Sequence, residues 1–200
     1  ETKALAEQEV RKYLNKELKG IILRPHLIWG PEDPHLIPGI IKRARRLRII
    51  GTGKNRVDTI YIDNAADAHI LAADRLTEHP EISGKIYFIS QDAPISLWDM
   101  VNHILDAAGL PKIEKRIPRK AAWTMGAVME FVYKILFISS EPPMTRFVAD
   151  ELSTSHWFDI SAAKKDLGYH PNISTAEGLQ RLGNWLQSSK KEIGITHGTH

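Results

Sequence analysis

Few runs in this chain are apolar and β-branched enough to be buried strands, and helical stretches separate them. Gly20-Ile21-Ile22-Leu23-Arg24 and Gly84-Lys85-Ile86-Tyr87-Phe88-Ile89-Ser90 are the clearest, with shorter pieces at Leu47-Arg48-Ile49-Ile50 and Thr59-Ile60-Tyr61-Ile62. Strand alternating with helix predicts α/β packing around a parallel sheet. These strands are too few to cover the helices between and after them. The pattern therefore reads as the C-terminal half of a doubly wound protein, followed by a mostly helical region. The expected organisation is a remaining α/β core over residues 1–90, a mostly helical lobe over 91–187 that partly returns to the core, and a flexible tail over 188–200.

Helix punctuation supports this division. Residues 3–18 carry a rough helical stripe of Leu5, Ala6, Val10, Tyr13 and Leu14, stopped by Gly20. Asp63 or Asn64 can cap a helix over Ala65–Leu76. Ser96-Leu97-Trp98-Asp99 and Ser174-Thr175-Ala176-Glu177 have capping-box form, predicting helices to Ala108 and Leu186. A short helix is expected near Thr145–Glu151, and another over Ser161–Leu167 that ends at Gly168. Leu36–Leu47 reads as a helix with Pro38 in its first turn.

Composition excludes several classes of function. Apolar residues at 42% and charged residues at 26% are ordinary for a globular protein, and cysteine is absent. Disulfide and thiolate chemistry are thereby ruled out. The net charge of +3 gives no footprint for nucleic acid. The basic run Lys42–Arg48 reads as a solvated helix face leading into a strand, a phosphate-binding patch being the alternative. Ala121–Ser139 is the most membrane-like stretch, but Glu130 and Lys134 interrupt it. It reads as a buried or channel-lining helix, with peripheral membrane contact as the alternative and no spanning segment. His26, His35 and His69 lack metal-ligand spacing, so no metal site is expected.

Arg24-Pro25-His26-Leu27-Ile28-Trp29-Gly30-Pro31 follows a strand, where open α/β sheets bind ligands. His26 reads as an acid–base group or as a packing histidine, and Trp29 as a pocket wall or core residue. Gly51-Thr52-Gly53 lacks the third glycine of a dinucleotide fingerprint and reads as a turn.

Together these stretches resemble the extended short-chain dehydrogenases/reductases. Thr2-Lys3-Ala4-Leu5-Ala6-Glu7 is similar to the end of their Tyr-x-x-x-Lys helix, and Leu23–Asp33 to their strand and loop beside the nicotinamide. Gly51–His69 resembles the 3-beta-hydroxysteroid dehydrogenase branch, which includes sterol-4-alpha-carboxylate dehydrogenases, and Phe158–Pro171 resembles its closing signature. The His26-Leu27-Ile28-Trp29 wording is closest to bacterial 2-alkyl-3-oxoalkanoate reductases.

The resemblance implies the C-terminal part of an extended Rossmann fold with a mostly helical substrate-binding lobe. The glycine-rich half and the motif tyrosine, four residues before Lys3, would precede Glu1, so this chain alone is expected to be inactive. For the intact parent it implies NADP- or NAD-dependent oxidation or reduction of a CH–OH/ketone group, NADP being favoured by the subfamily. The expected reaction is reduction of a 2-alkyl-3-oxoalkanoate in olefin biosynthesis. Alternatives are 3-beta-hydroxysteroid or sterol-4-alpha-carboxylate dehydrogenation, or a non-catalytic fragment that binds an apolar ligand or its own N-terminal half. Lys3 is expected to lower the tyrosine pKa and to hold the nicotinamide ribose, with Pro25 and Ile28 holding the carboxamide. His26, Leu27, Trp29 and Tyr61 are expected to shape the substrate pocket. Nucleotide-sugar epimerases of this superfamily usually carry Arg where Val57 stands, which argues against a diphosphate substrate; Arg56, next along a strand, should face the other way. The expected partner is an apolar small molecule, with no nucleic acid. The intact protein is expected to be a cytoplasmic homodimer, with peripheral membrane association as the alternative location.

Overall fold

The computed structural model describes residues 2–14 and 18–192. In chain order, the first half contains α1 (Thr2–Tyr13), β1 (Ile22–Pro25), β2 (Ile28–Trp29), α2 (Leu36–Arg43), β3 (Ile49–Ile50), β4 (Arg56–Val57), β5 (Ile60–Tyr61), α3 (Ile62–Glu78) and β6 (Ile86–Ile89). Then follow β7 (Ile95–Ser96), α4 (Leu97–Ala107), β8 (Arg116–Ile117), α5 (Arg119–Ile135), α6 (Arg146–Glu151), α7 (Ser161–Leu167) and α8 (Thr175–Glu192). The chain forms two compact units, both discontinuous in sequence.

The first unit comprises residues 1–30, 58–93 and 158–178. Its two ladders are parallel: β1 with β6, from Ile22 opposite Ile86 to Pro25 opposite Ile89, and β2 with β5, Ile28 opposite Ile60. Parallel neighbours need a crossover, and helices supply it. α3 presents Ala65, Ala68 and Ala72 on one buried face, and these small side chains pack with Tyr87, Ile89 and Leu167. The start of α3 departs from expectation. It opens at Ile62 with no side-chain cap, and neither Asp63 nor Asn64 caps it. The Asn64 side chain is instead buried and tied to the segment before α8. The Ser174 cap of α8 forms as predicted, its hydroxyl accepting from the Glu177 amide at 3.2 Å.

The second unit comprises residues 31–57, 94–157 and 179–200. β3 pairs parallel with β8, and β4 pairs antiparallel with β7. Its core joins Ile49 and Ile50 to Trp98, Val101 and Leu105 of α4 and to Ala122 and Ala149. The Asp33 carboxylate accepts from the amides of His35, Leu36 and Ile37 at 2.8–3.1 Å, which satisfies the free amides at the start of α2. Ser96 caps α4 as predicted, accepting from the Asp99 amide, and Thr145 caps α6 by accepting from the Val148 amide. Arg56 is exposed and Val57 buried, the opposite facing expected of neighbours in a strand.

α5 corrects the expectation of a buried helix. Its buried residues are Ala122 and Gly126, while Val128, Phe131 and Ile135 are exposed. Gly126 is where α5 meets α6: a Cβ there would lie 2.5 Å from the Thr145 carbonyl carbon and 2.6 Å from the Arg146 nitrogen. No helix among the described residues is long and apolar enough to cross a membrane. α8 continues past Leu186 to Glu192, and of the expected tail 188–200, residues 193–200 lie outside the described ones.

Candidate active site

The candidate site lies within the first unit, on α1 and the ends of β1 and β2. α1 buries none of its residues, so charge pairing rather than apolar packing anchors it. Glu7 accepts from Arg24 of β1 at 2.8 and 3.0 Å and also pairs with Arg11. Arg24 in turn lies over the Phe88 ring, 5.4 Å from its centroid. Lys3, one turn before Glu7, faces the same groove. The groove is lined by Lys3, Ala4 and Glu7 on one side and Leu23, Pro25, Leu27 and Ile28 on the other, and encloses about 690 Å³.

The structure thus brings Lys3, Pro25, Leu27 and Ile28 to one surface. Lys3 is exposed and has no ion-pair or hydrogen-bond partner among the described residues. Ile28 is 38% exposed, and Leu27 takes a left-handed backbone, φ 45°. A left-handed leucine is uncommon and marks a place where the surroundings dictate the backbone.

Trp29 and Tyr61 are fully buried and pack edge-to-face, with centroids 5.2 Å apart. Gly178 closes over them, where a Cβ would sit 2.7 Å from the Tyr61 ring. Both aromatics are therefore packed beneath β2 and β5 and do not line the groove.

His26 is partly buried, with its Nδ1 2.9 Å from the Asp58 carbonyl oxygen. A carbonyl only accepts, so Nδ1 carries the proton in this hydrogen bond. The imidazole meets Phe158 edge-on at 5.3 Å, and Phe158 stacks on Phe88 at 4.3 Å.

Sequence reasoning missed the residues that hold this frame. Asp58 is buried, and its carboxylate accepts from the Phe158 amide at 2.7 Å. Burial pushes its pKa above the usual carboxylate range, partly offset by the Phe158 amide and by His26. Gln91 Oε1 accepts from the Tyr61 amide and from Asn64 Nδ2. Asn64 also donates to the Ile173 carbonyl, and its Oδ1 accepts from the amides of Asn172 and Ile173 at 3.0 Å. Asp58 and Gln91 stand among polar residues beside strands, and only Asn64 lies in a helix-forming run, so the sequence carried no local signal for this network.

The groove fits a nicotinamide ring and its ribose. It offers one unpaired ammonium for hydroxyl oxygens beside an apolar strand end for a flat ring. Among the described residues no cluster of His, Asp and Glu could hold a metal ion.

Parallel βα units with a ligand-sized groove at their strand ends, joined to a mostly helical region, define a Rossmann-like α/β fold of the extended short-chain dehydrogenase/reductase class. The chain belongs to the 3-beta hydroxysteroid dehydrogenase/isomerase family, whose model matches residues 1–119. It is 52% identical to a 2-alkyl-3-oxoalkanoate reductase of Shewanella oneidensis over 168 residues, 82% of this chain and 43% of that protein. It is 46% identical to a 2-alkyl-3-oxoalkanoate reductase of Stenotrophomonas maltophilia over 183 residues, 90% of this chain and 56% of that protein. The chain therefore spans about half the length of the curated relatives it matches. Its fold is similar to the crystal structure of gox2253, with a TM-score of 0.66 at 23% identity, covering 92% of this chain and 54% of that one.

Proposed function

We propose that this chain supplies the nicotinamide-side half of an NAD(P)-dependent reductase acting on 2-alkyl-3-oxoalkanoates. The observation that carries this reading is the placement of unpaired Lys3 across a groove from the Pro25–Ile28 strand end. The two similar reductases support the substrate class, and subfamily resemblance favours NADP. When bound, the nicotinamide dinucleotide supplies the hydride.

The chain's own residues bind and orient. Lys3 holds ribose hydroxyls and, through its positive charge, lowers the pKa of a tyrosine one helical turn before it. That tyrosine, implied by the family resemblance, passes its proton to the carbonyl oxygen. Pro25 and Ile28 fix the carboxamide by their backbone. Leu27 forms the substrate side of the groove, while the His26 ring, packed on Phe158, and the buried Trp29–Tyr61 pair lie outside its lining and hold the surrounding frame. On this reading the intact protein is a cytoplasmic homodimer, a state that sedimentation would report.

Lys3→Met in the whole protein tests the reading. NADPH consumption with a 2-alkyl-3-oxo acid is expected to fall at least a hundredfold, with the fold unchanged by circular dichroism. Near-normal turnover would overturn the role of Lys3. Faster turnover of a 3-beta-hydroxysteroid than of the oxo acid would overturn the substrate class.

A further inference from the structure

The arginine-rich run after α2, which the proposed reaction leaves without a role, borders a cavity of about 250 Å³ that lies wholly within the second unit. Apolar side chains form most of its wall, among them Trp98, Met125, Met129, Met144 and Leu152. Arg43, Arg46 and Arg48 line it too, and no acidic residue among the described ones does. None of the three has an ion pair among the described residues. Arg48 is held in place by donating to the carbonyls of Arg45 and Leu47 at 3.1 and 2.7 Å. Arg43 eases its own charge at the C-terminal end of α2, but Arg46 and Arg48 lie beyond that helix. Trp98 is buried, and its Nε1 has no hydrogen-bond partner among the described residues.

Three guanidinium groups with no counter-charge beside an apolar cavity are complementary to an amphiphile with an anionic head. Methionine walls suit an alkyl chain, because the unbranched thioether adjusts to variable shapes.

We propose that this cavity binds the alkyl chain of a long-chain carboxylate, with the carboxylate held by Arg43, Arg46 and Arg48. The choice of a long-chain carboxylate as ligand rests on the proposed reduction of 2-alkyl-3-oxo acids, which are carboxylates of that kind. The arginines and methionines then set chain length and require a free acid.

The test uses dodecanoate, which has no oxo group and is not turned over. Calorimetry on the whole protein should show dodecanoate binding at least tenfold tighter than dodecanol. The triple variant R43A/R46A/R48A, altered at side chains that pair with no acidic residue, should bind the two alike. A dodecanoate brominated on its chain should quench tryptophan emission, and Trp98→Phe should remove most of that quenching. Absence of dodecanoate binding, a preference that survives in the triple variant, or quenching unaffected by Trp98→Phe would each overturn the proposal. Its failure is separable from that of the proposed reaction. A protein that binds dodecanoate through these arginines but reduces no 2-alkyl-3-oxo acid keeps the cavity and loses the reaction. One that reduces the acid but binds dodecanoate no tighter than dodecanol loses the cavity.

Discussion

Replacing Asn64 probes the frame beneath the candidate site most directly. The side chain is completely buried and makes four hydrogen bonds: it donates to Gln91 Oε1 at 3.1 Å and the Ile173 carbonyl at 2.7 Å, and accepts from the amides of Asn172 and Ile173 at 3.0 Å. Asn64→Ala removes all four, but their partners suffer unequally. Gln91 Oε1 keeps the Tyr61 amide, and the Ile173 carbonyl keeps Gln91 Nε2. The Asn172 and Ile173 amides lose their acceptor, and Asn172 is exposed enough for water to replace it. One orphaned amide at about 1–3 kcal/mol, with a net loss of about 1 kcal/mol from the other bonds, gives roughly 2–4 kcal/mol. At about 2–4 °C per kcal/mol for a chain of this size, Tm should fall by roughly 5–15 °C. Thermal unfolding followed by circular dichroism checks this.

Asn64→Asp separates the two halves of the network. It keeps the accepting bonds but sets a carboxylate oxygen against Gln91 Oε1 and the Ile173 carbonyl. Protonation restores one donor, so the folded-state pKa of this Asp lies above its unfolded value near 4. A raised folded pKa contributes stability that is present below the unfolded value and lost as pH rises through the folded one. The deficit of Asn64→Asp should therefore be larger at pH 7 than at pH 4.5. A Tm within 2 °C of the parent for Asn64→Ala, or a deficit in Asn64→Asp that grows toward acid, would refute this account.

Two further outcomes follow from single contacts. Gly126→Ala should cost about 1–3 kcal/mol from overpacking, despite the roughly 1 kcal/mol by which alanine favours a helix, because the Cβ meets the backbone of Thr145 and Arg146; a raised Tm would contradict it. The Asp166 carboxyl is held below its usual pKa by the hydrogen bond from Lys85 and then by that from Tyr87, so its contribution is present above pH 4 and lost as pH falls through the folded value. Denaturant titrations at pH 6 and pH 3 should show an acid loss of about 1 kcal/mol or less that Asp166→Asn lacks.

What could be read in advance was local. β-branched runs, glycine stops and Ser caps act within a few residues, so β1, β6 and the caps at Ser96 and Ser174 were visible in the order of residues. The frame of the site was not visible, because its contacts join distant parts of the chain. Asp58 meets Phe158, and Asn64 meets Ile173, across about a hundred residues. Asn64 also illustrates a local signal overridden: an asparagine near a helix start favours a cap, yet four partners inside the fold offer more. Side-chain facing in β2 was equally hidden. In a strand of two residues, alternation turns Ile28 outward and Trp29 inward, but no repeat is long enough to set the phase.

Leu27 links the fold to the groove. β1 ladders with β6 up to Pro25, whereas β2 ladders with β5 from Ile28. Between them the chain changes partner in two residues, and a left-handed turn at Leu27 accomplishes it, at a cost of about 1–3 kcal/mol. The neighbours over-determine that turn. The His26 amide bonds the Ile89 carbonyl, the His26 ring bonds the Asp58 carbonyl, and the Leu27 carbonyl accepts from the Ile60 amide. Pro25 has no amide proton to add to this pattern. The residues at which one ladder ends and the other begins, Pro25, Leu27 and Ile28, are also those that share the groove with Lys3. A residue at position 27 that favours left-handed backbone, such as glycine or asparagine, should preserve the groove, whereas a β-branched valine should close it and lower turnover together with stability.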